Sequence, residues 1–235
     1  MDVCNILGLD LPENFSRHSG SEDFVPVVRV PRSDQDVGPI ASKLSACVDP
    51  NRGETFRLLQ FVTSEAVLNA RQHSGGEGFV SAQYAKSKET ARIGVADCGI
   101  GILESFRSNA SPFYKQGMTE EQALLLALKP EVSSTMHLKT AYGHSPNRGV
   151  GLSMMRELMA LSLGAMTLVS GNSWWFQYGQ RAPMFGTFKH GRRFDGTVLA
   201  AAFLRSQIDD YFEMLKRARM KLGLQPPDDV GKIFL

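Results

Sequence analysis

The stretch Phe61-Val-Thr-Ser-Glu65-Ala-Val-Leu-Asn69-Ala-Arg-Gln-His73 decides how the rest of the chain is read. Leu58, Leu59, Val62, Ala66 and Ala70 recur at helical spacing, which predicts a helix from about Glu54 to His73 with one apolar face. Glu65, Asn69 and His73 stand four apart and form a polar stripe along it. A carboxylate one turn from a carboxamide suits a hydrated magnesium ion. The amide oxygen ligates the metal, and the acid orients or deprotonates a water. Taken alone, such a stripe also describes an ordinary solvated helix face.

Two later stretches add to it. Ile93-Gly-Val-Ala-Asp97-Cys-Gly99-Ile-Gly101-Ile102 reads as an apolar strand ending in an acid and a glycine pair. Arg148-Gly149-Val150-Gly151-Leu152 is a second glycine pair, opening a helix. The order Glu-x3-Asn-x3-His, Asp-x-Gly-x-Gly, Gly-x-Gly-Leu resembles the GHKL, or Bergerat-fold, ATPase superfamily over roughly residues 50 to 204. Its closest likeness is to the histidine kinase and anti-sigma kinase branch. The alternatives fit less well. A dinucleotide fingerprint needs glycine where Glu104 stands, and no Gly-Lys-Ser/Thr phosphate loop occurs.

The resemblance implies an α/β (α+β) two-layer sandwich, with a mixed, mostly antiparallel sheet and helices on one face. It implies ATP and Mg²⁺ as cofactors, with Glu65 as the catalytic base and Asn69 as the metal ligand. Nucleotide contacts fall by the same likeness on Asn69, His73, Asp97, Gly99, Gly101, Ile102, Arg148, Gly149, Val150, Gly151, Leu152 and Thr197. Asp97 would accept from the adenine amine, since a buried carboxylate needs a donor. The first glycine pair would let backbone approach base and ribose. The second would present helix N–H groups to phosphate. Arg148 fits equally as an added charge or an exposed loop arginine, and His73 as a phosphate-side brace or a plain helix-end residue. Thr197, after Gly196, would support the base pocket.

Composition narrows the class. The 235 residues are 43% hydrophobic and 21% charged, as in one globular domain with a full core. A net charge of +2 gives no reason to expect nucleic acid. Cys4, Cys47 and Cys98 lack metal-ligand spacing and suit a reducing compartment. With no basic leader and no apolar run of membrane length, the expectation is a cytoplasmic protein, off the membrane.

In chain order, residues 1–49 are expected to add an N-terminal strand (Val25–Val30) and a helix (Ser33–Cys47) to the core. Residues 50–204 form the ATPase-like unit, with hairpin strands at Phe79–Tyr84 and Ala91–Ala96. The ATP lid falls at about 103–148, with one short helix from Glu120 to Leu128 and few apolar anchors. A helix at Gly151–Ser162 and strands at Ala165–Ser170, Trp174–Tyr178 and Thr197–Leu204 follow, with a basic exposed hairpin at 179–193. Residues 205–235 hold a final helix capped near Ser206, then a tail from Pro226. The expected function is Mg-dependent ATP binding, with hydrolysis or transfer of the γ-phosphate to a regulatory or phosphoacceptor protein. A nucleotide-gated protein-binding switch with negligible turnover is the rival, and a homodimer is compatible with either.

Overall fold

Asp49 starts the long helix. Its carboxylate accepts the backbone N–H groups of Gly53 (3.0 Å) and Phe56 (3.3 Å), two of the donors a helix N-terminus leaves unpaired. The computed structural model describes residues 24–30, 37–135 and 149–224. In them α1 (Val37–Ala46) packs on α2 (Glu54–Ser74), whose Leu58, Leu59, Val62, Ala66 and Ala70 are all buried. Gly75, at φ +66°, ends α2 in the left-handed conformation that glycine adopts without steric cost.

Seven strands follow the order β1-β2-β3-β7-β4-β5-β6: β1 Phe24–Arg29, β2 Gly78–Ala85, β3 Thr90–Asp97, β4 Ala165–Gly171, β5 Ser173–Tyr178, β6 Met184–Thr187 and β7 Phe194–Leu204. All six neighbouring pairs are antiparallel, which corrects the mixed sheet expected from sequence. The physical reason is β7. It lies between β3 and β4, which run the same way, and pairs antiparallel with both. Between β3 and β4 the chain forms α3 (Gly101–Ser108), α4 (Glu120–Ala127) and α5 (Gly151–Leu161); α6 (Tyr211–Lys221) closes the described chain.

One sheet face carries Val80, Ile93, Val95, Leu168, Trp175, Leu199, Ala201 and Phe203, all buried in one cluster with Leu58, Leu124, Met155, Leu158 and Leu215 from the helices. This is a two-layer α+β arrangement with the core between the layers. No helix of the described residues is long and apolar enough to cross a membrane.

The stretch read as lid is more ordered than its composition suggests. Helix α3 was not expected at all. Gly101 enters it at φ +72°, and its N-cap, Ile100, makes no side-chain cap. The hydroxyl of Ser170 substitutes by accepting the Ile102 N–H at 2.8 Å. Thr119 and Gln122 form a reciprocal capping box on α4. Phe106, Ala123 and Ala127 form a second buried cluster, so the segment does have apolar anchors. At its far end the Val132 N–H donates to the Gly149 carbonyl (3.3 Å). Residues 1–23, the start of the expected helix at Ser33 and the tail from Pro226 lie outside the described residues. The last helix is capped by Asp210, which accepts the Glu213 N–H at 3.0 Å, rather than near Ser206. A 3₁₀ turn at Arg205–Gln207 occupies the earlier position.

Candidate functional site

Asp97 ends β3 on the buried face, opposite Thr197 of β7. Its Oδ1 accepts the Gly99 N–H at 3.0 Å, and the Thr197 backbone also donates to the carboxylate. These bonds fix the side chain, as expected for an acid at a pocket floor. Burial dominates its titration, raising the pKa from 3.8 to about 6 against the lowering effect of the two backbone donors.

The floor depends on an irregularity in β7. Pairing with β4 shifts between Ser170 and Gly171, so Ser170 faces Thr197 while Gly171 faces Phe194. Gly196 sits in the resulting bulge at φ +125°, and a Cβ there would lie 1.9 Å from the Asp97 carbonyl oxygen. The Ser170 hydroxyl donates to the Gly196 carbonyl at 3.0 Å, tying the bulge to the start of α3.

Above this floor opens a cavity of about 100 Å³. Of the residues singled out from sequence, Asn69, Asp97, Gly101, Ile102, Gly149, Gly151, Leu152 and Thr197 line it together. They come from α2, β3, α3, the approach to α5, α5 itself and β7. Apolar walls come from Ala66, Ala70, Val95, Leu168 and Leu199, which suits a flat ring. Sequence reasoning missed Ser105, Ser133 and Ser134. All three are buried, and the Ser105 and Ser134 hydroxyls bond at 2.8 Å. Only their tertiary placement distinguishes them from ordinary loop serines.

The remaining expected residues divide. Gly99 does not line the cavity; its backbone serves Asp97. Val150 is the N-cap of α5 and packs against the core. The His73 side chain and all of Arg148 lie outside the described residues. Glu65 stands beside the cavity rather than in its lining. A Cβ on Gly151 would come 2.2 Å from Glu65 Oε2 and 3.8 Å from Asn69 Nδ2, so both side chains meet the first turn of α5. That turn has no side-chain cap, so its first N–H groups lack the partner a capping side chain would give. Burial raises the Glu65 pKa above the usual carboxylate value. Tyr211 of α6 is close enough for Glu65 to help raise the tyrosine's pKa, after the larger effect of burial.

Asn69 Nδ2 is buried without a hydrogen-bond partner. Among the described residues no three His, Cys, Asp or Glu side chains gather into a metal cluster. A magnesium ion here would therefore take the Asn69 amide and otherwise water and ligand oxygens. Magnesium commonly adopts that arrangement with phosphates, so the residues present fit it.

The raised Asp97 value has a pH consequence with a definite sign. A carboxyl whose folded pKa lies above its unfolded one favours the fold while protonated, below about 4, and loses that contribution as pH rises through about 6. The chemical-denaturation midpoint should fall over that window in the parent. Asp97→Asn should flatten this component, and an unchanged slope would show that Asp97 titrates normally.

Comparison with models of known protein families yields no match, and no curated protein matches the chain.

Proposed function

We propose that the chain is an Mg-dependent ATP-binding protein of the GHKL, Bergerat-fold type, acting on the γ-phosphate by hydrolysis or by transfer to a protein partner. One observation carries this reading: Asn69, Asp97, Gly101, Gly149, Gly151 and Thr197, selected from three separated sequence motifs and the start of the last strand, meet around one cavity. Adenine lies on the apolar walls with its amine toward Asp97. The phosphates run toward the first turn of α5 and Asn69, where magnesium, when bound, offsets phosphate charge. Glu65 takes a proton from the attacking water or protein hydroxyl. A new oxygen–phosphorus bond forms at the γ-phosphorus, the bond to the bridging oxygen breaks, and ADP leaves. A base with a raised pKa works nearer neutral pH than an ordinary carboxylate.

The same burial supports a second reading. Burial that disfavours the charged carboxylate also makes Glu65 a less ready base, which is compatible with a nucleotide-gated switch that binds a protein partner without turnover.

The binding claim is tested by comparing ATP with GTP. ATP should raise the melting temperature more than GTP, because guanine lacks an amine at the position Asp97 reads. Asp97→Asn should weaken ATP binding by about tenfold to a hundredfold, the usual cost of a lost buried hydrogen bond. Equal stabilisation by both nucleotides, indifferent to this substitution, would overturn the adenine assignment.

A further inference from the structure

The sheet face away from the helices does not alternate to polar residues, as a solvated antiparallel face does. On β3 and β7 it presents Gly94, Ala96, Val198, Ala200 and Ala202; on β4, Thr167 and Val169. On β5 and β6 it continues with Trp174, Phe176, Tyr178 and Met184. None of these residues belongs to either buried cluster, and Tyr178 and Met184 are 45% and 57% exposed. Over the regularly paired length of these strands Arg92, at one corner, is the only charge on this face; Asp195, in the bulge of β7, is exposed and pairs with Arg193.

We infer that this face is the interface with a second copy of the chain. The relief is self-complementary. Glycine and alanine make a shallow trough on β3 and β7, large side chains make a ridge on β5 and β6, and β4 lies midway between them. A two-fold axis parallel to β4, lying between two facing sheets, sets each copy's ridge over the other's trough. Such a contact is closed and uses the same patch twice. Charge on the face is confined to its margins, where Arg92 stands at one corner and Arg181 stacks over the Tyr178 ring at 5.3 Å.

Gly94 supports close approach. It sits inside a central strand, where glycine weakens pairing, yet a Cβ there would meet only the Ser81 hydroxyl, at an ordinary 3.6 Å. Nothing among the described residues requires the missing side chain. Five strands at about 4.8 Å spacing and about 20 Å length present roughly 500 Å² in plan, and more with side-chain relief included. A stable interface takes roughly 600–1,000 Å² per partner, so the face is of a suitable size. A lipid surface is the competing occupant, but small residues on a flat sheet give it little to insert into.

The test is sedimentation equilibrium on the full chain, with Ala200→Glu and Thr167→Arg as separate variants. Ala200 is exposed and neither residue lines the cavity, so both variants should keep the parent's cooperative melting and nucleotide binding. The parent should sediment at twice the 25.9 kDa chain mass and each folded variant at that mass. A parent monomeric up to its solubility limit overturns the proposal, as does a dimer that both variants retain. A monomeric parent that co-sediments with phosphatidylglycerol vesicles, and loses this with Ala200→Glu, assigns the face to a lipid surface instead. Nucleotide binding is measured separately, so failure here leaves the ATP reading standing.

Discussion

Glu65→Gln should leave ATP affinity within a few-fold of the parent and reduce γ-phosphate release or transfer by about a hundredfold to ten-thousandfold, the usual loss on removing a general base. The side chain lies beside the cavity rather than in its lining, at the first turn of α5, so a nucleotide held in the cavity should not depend on it. Glutamine keeps the shape, so its amide fits where the carboxylate touches Gly151. Asn69→Ala is the contrasting variant, expected to lose magnesium-dependent binding and turnover together. Titration calorimetry and a labelled-phosphate assay on each variant separate the two. If Glu65→Gln turns over like the parent, the base is elsewhere. If the parent neither releases nor transfers phosphate, the nucleotide-gated switch is the better account.

The second large effect is on stability. Gly196→Ala should destabilise the fold by about 3–5 kcal/mol, combining a strained positive φ with overpacking. For a chain of this size that lowers the melting temperature by roughly 10 °C or more. The added Cβ would fall 1.9 Å from the Asp97 carbonyl oxygen and 3.1 Å from its Oδ1, so strand pairing and the pocket floor would be disturbed together. Gly38→Ala on α1 is the control, because a Cβ there meets nothing within 4 Å among the described residues. Similar melting of the two variants would mean that the bulge relaxes easily. Adenosine nucleotides should rescue Gly196→Ala less than they stabilise the parent.

The parts of the fold visible in the sequence were those with a local signal. Helix α2 was read to within one residue at its end, because five apolar positions repeat at its period. The β2–β3 hairpin and the strands β4, β5 and most of β7 announced themselves by apolar runs between turns. Three features lacked such a signal. Helix α3 begins on a left-handed glycine and is capped by a serine 68 positions away. Strand β6 is four residues of the hairpin at 179–193, too short to alternate. The last strand was expected from Thr197, whereas β7 begins at Phe194, because its pairing with β4 resumes there beyond the bulge that shapes the floor. The site followed the same division. Its motif residues were legible as types at fixed spacing, whereas the Ser105–Ser134 pair exists only once α3 meets the chain after α4.

The hydrogen bond from Val132 to Gly149 closes a loop at its mouth. A Cβ on Gly149 would strike the Val132 backbone at 2.6–2.7 Å, so the two ends of the loop are held in direct backbone contact. The entropy of closing a flexible loop grows only with the logarithm of its length, about 0.6 kcal/mol for each doubling. The cavity wall at Val132, Ser133 and Gly149 is thereby largely insulated from the length of chain between them. Changing the number of residues between 136 and 148 should therefore leave the melting temperature nearly unchanged, because the cavity wall is fixed by its own backbone contact.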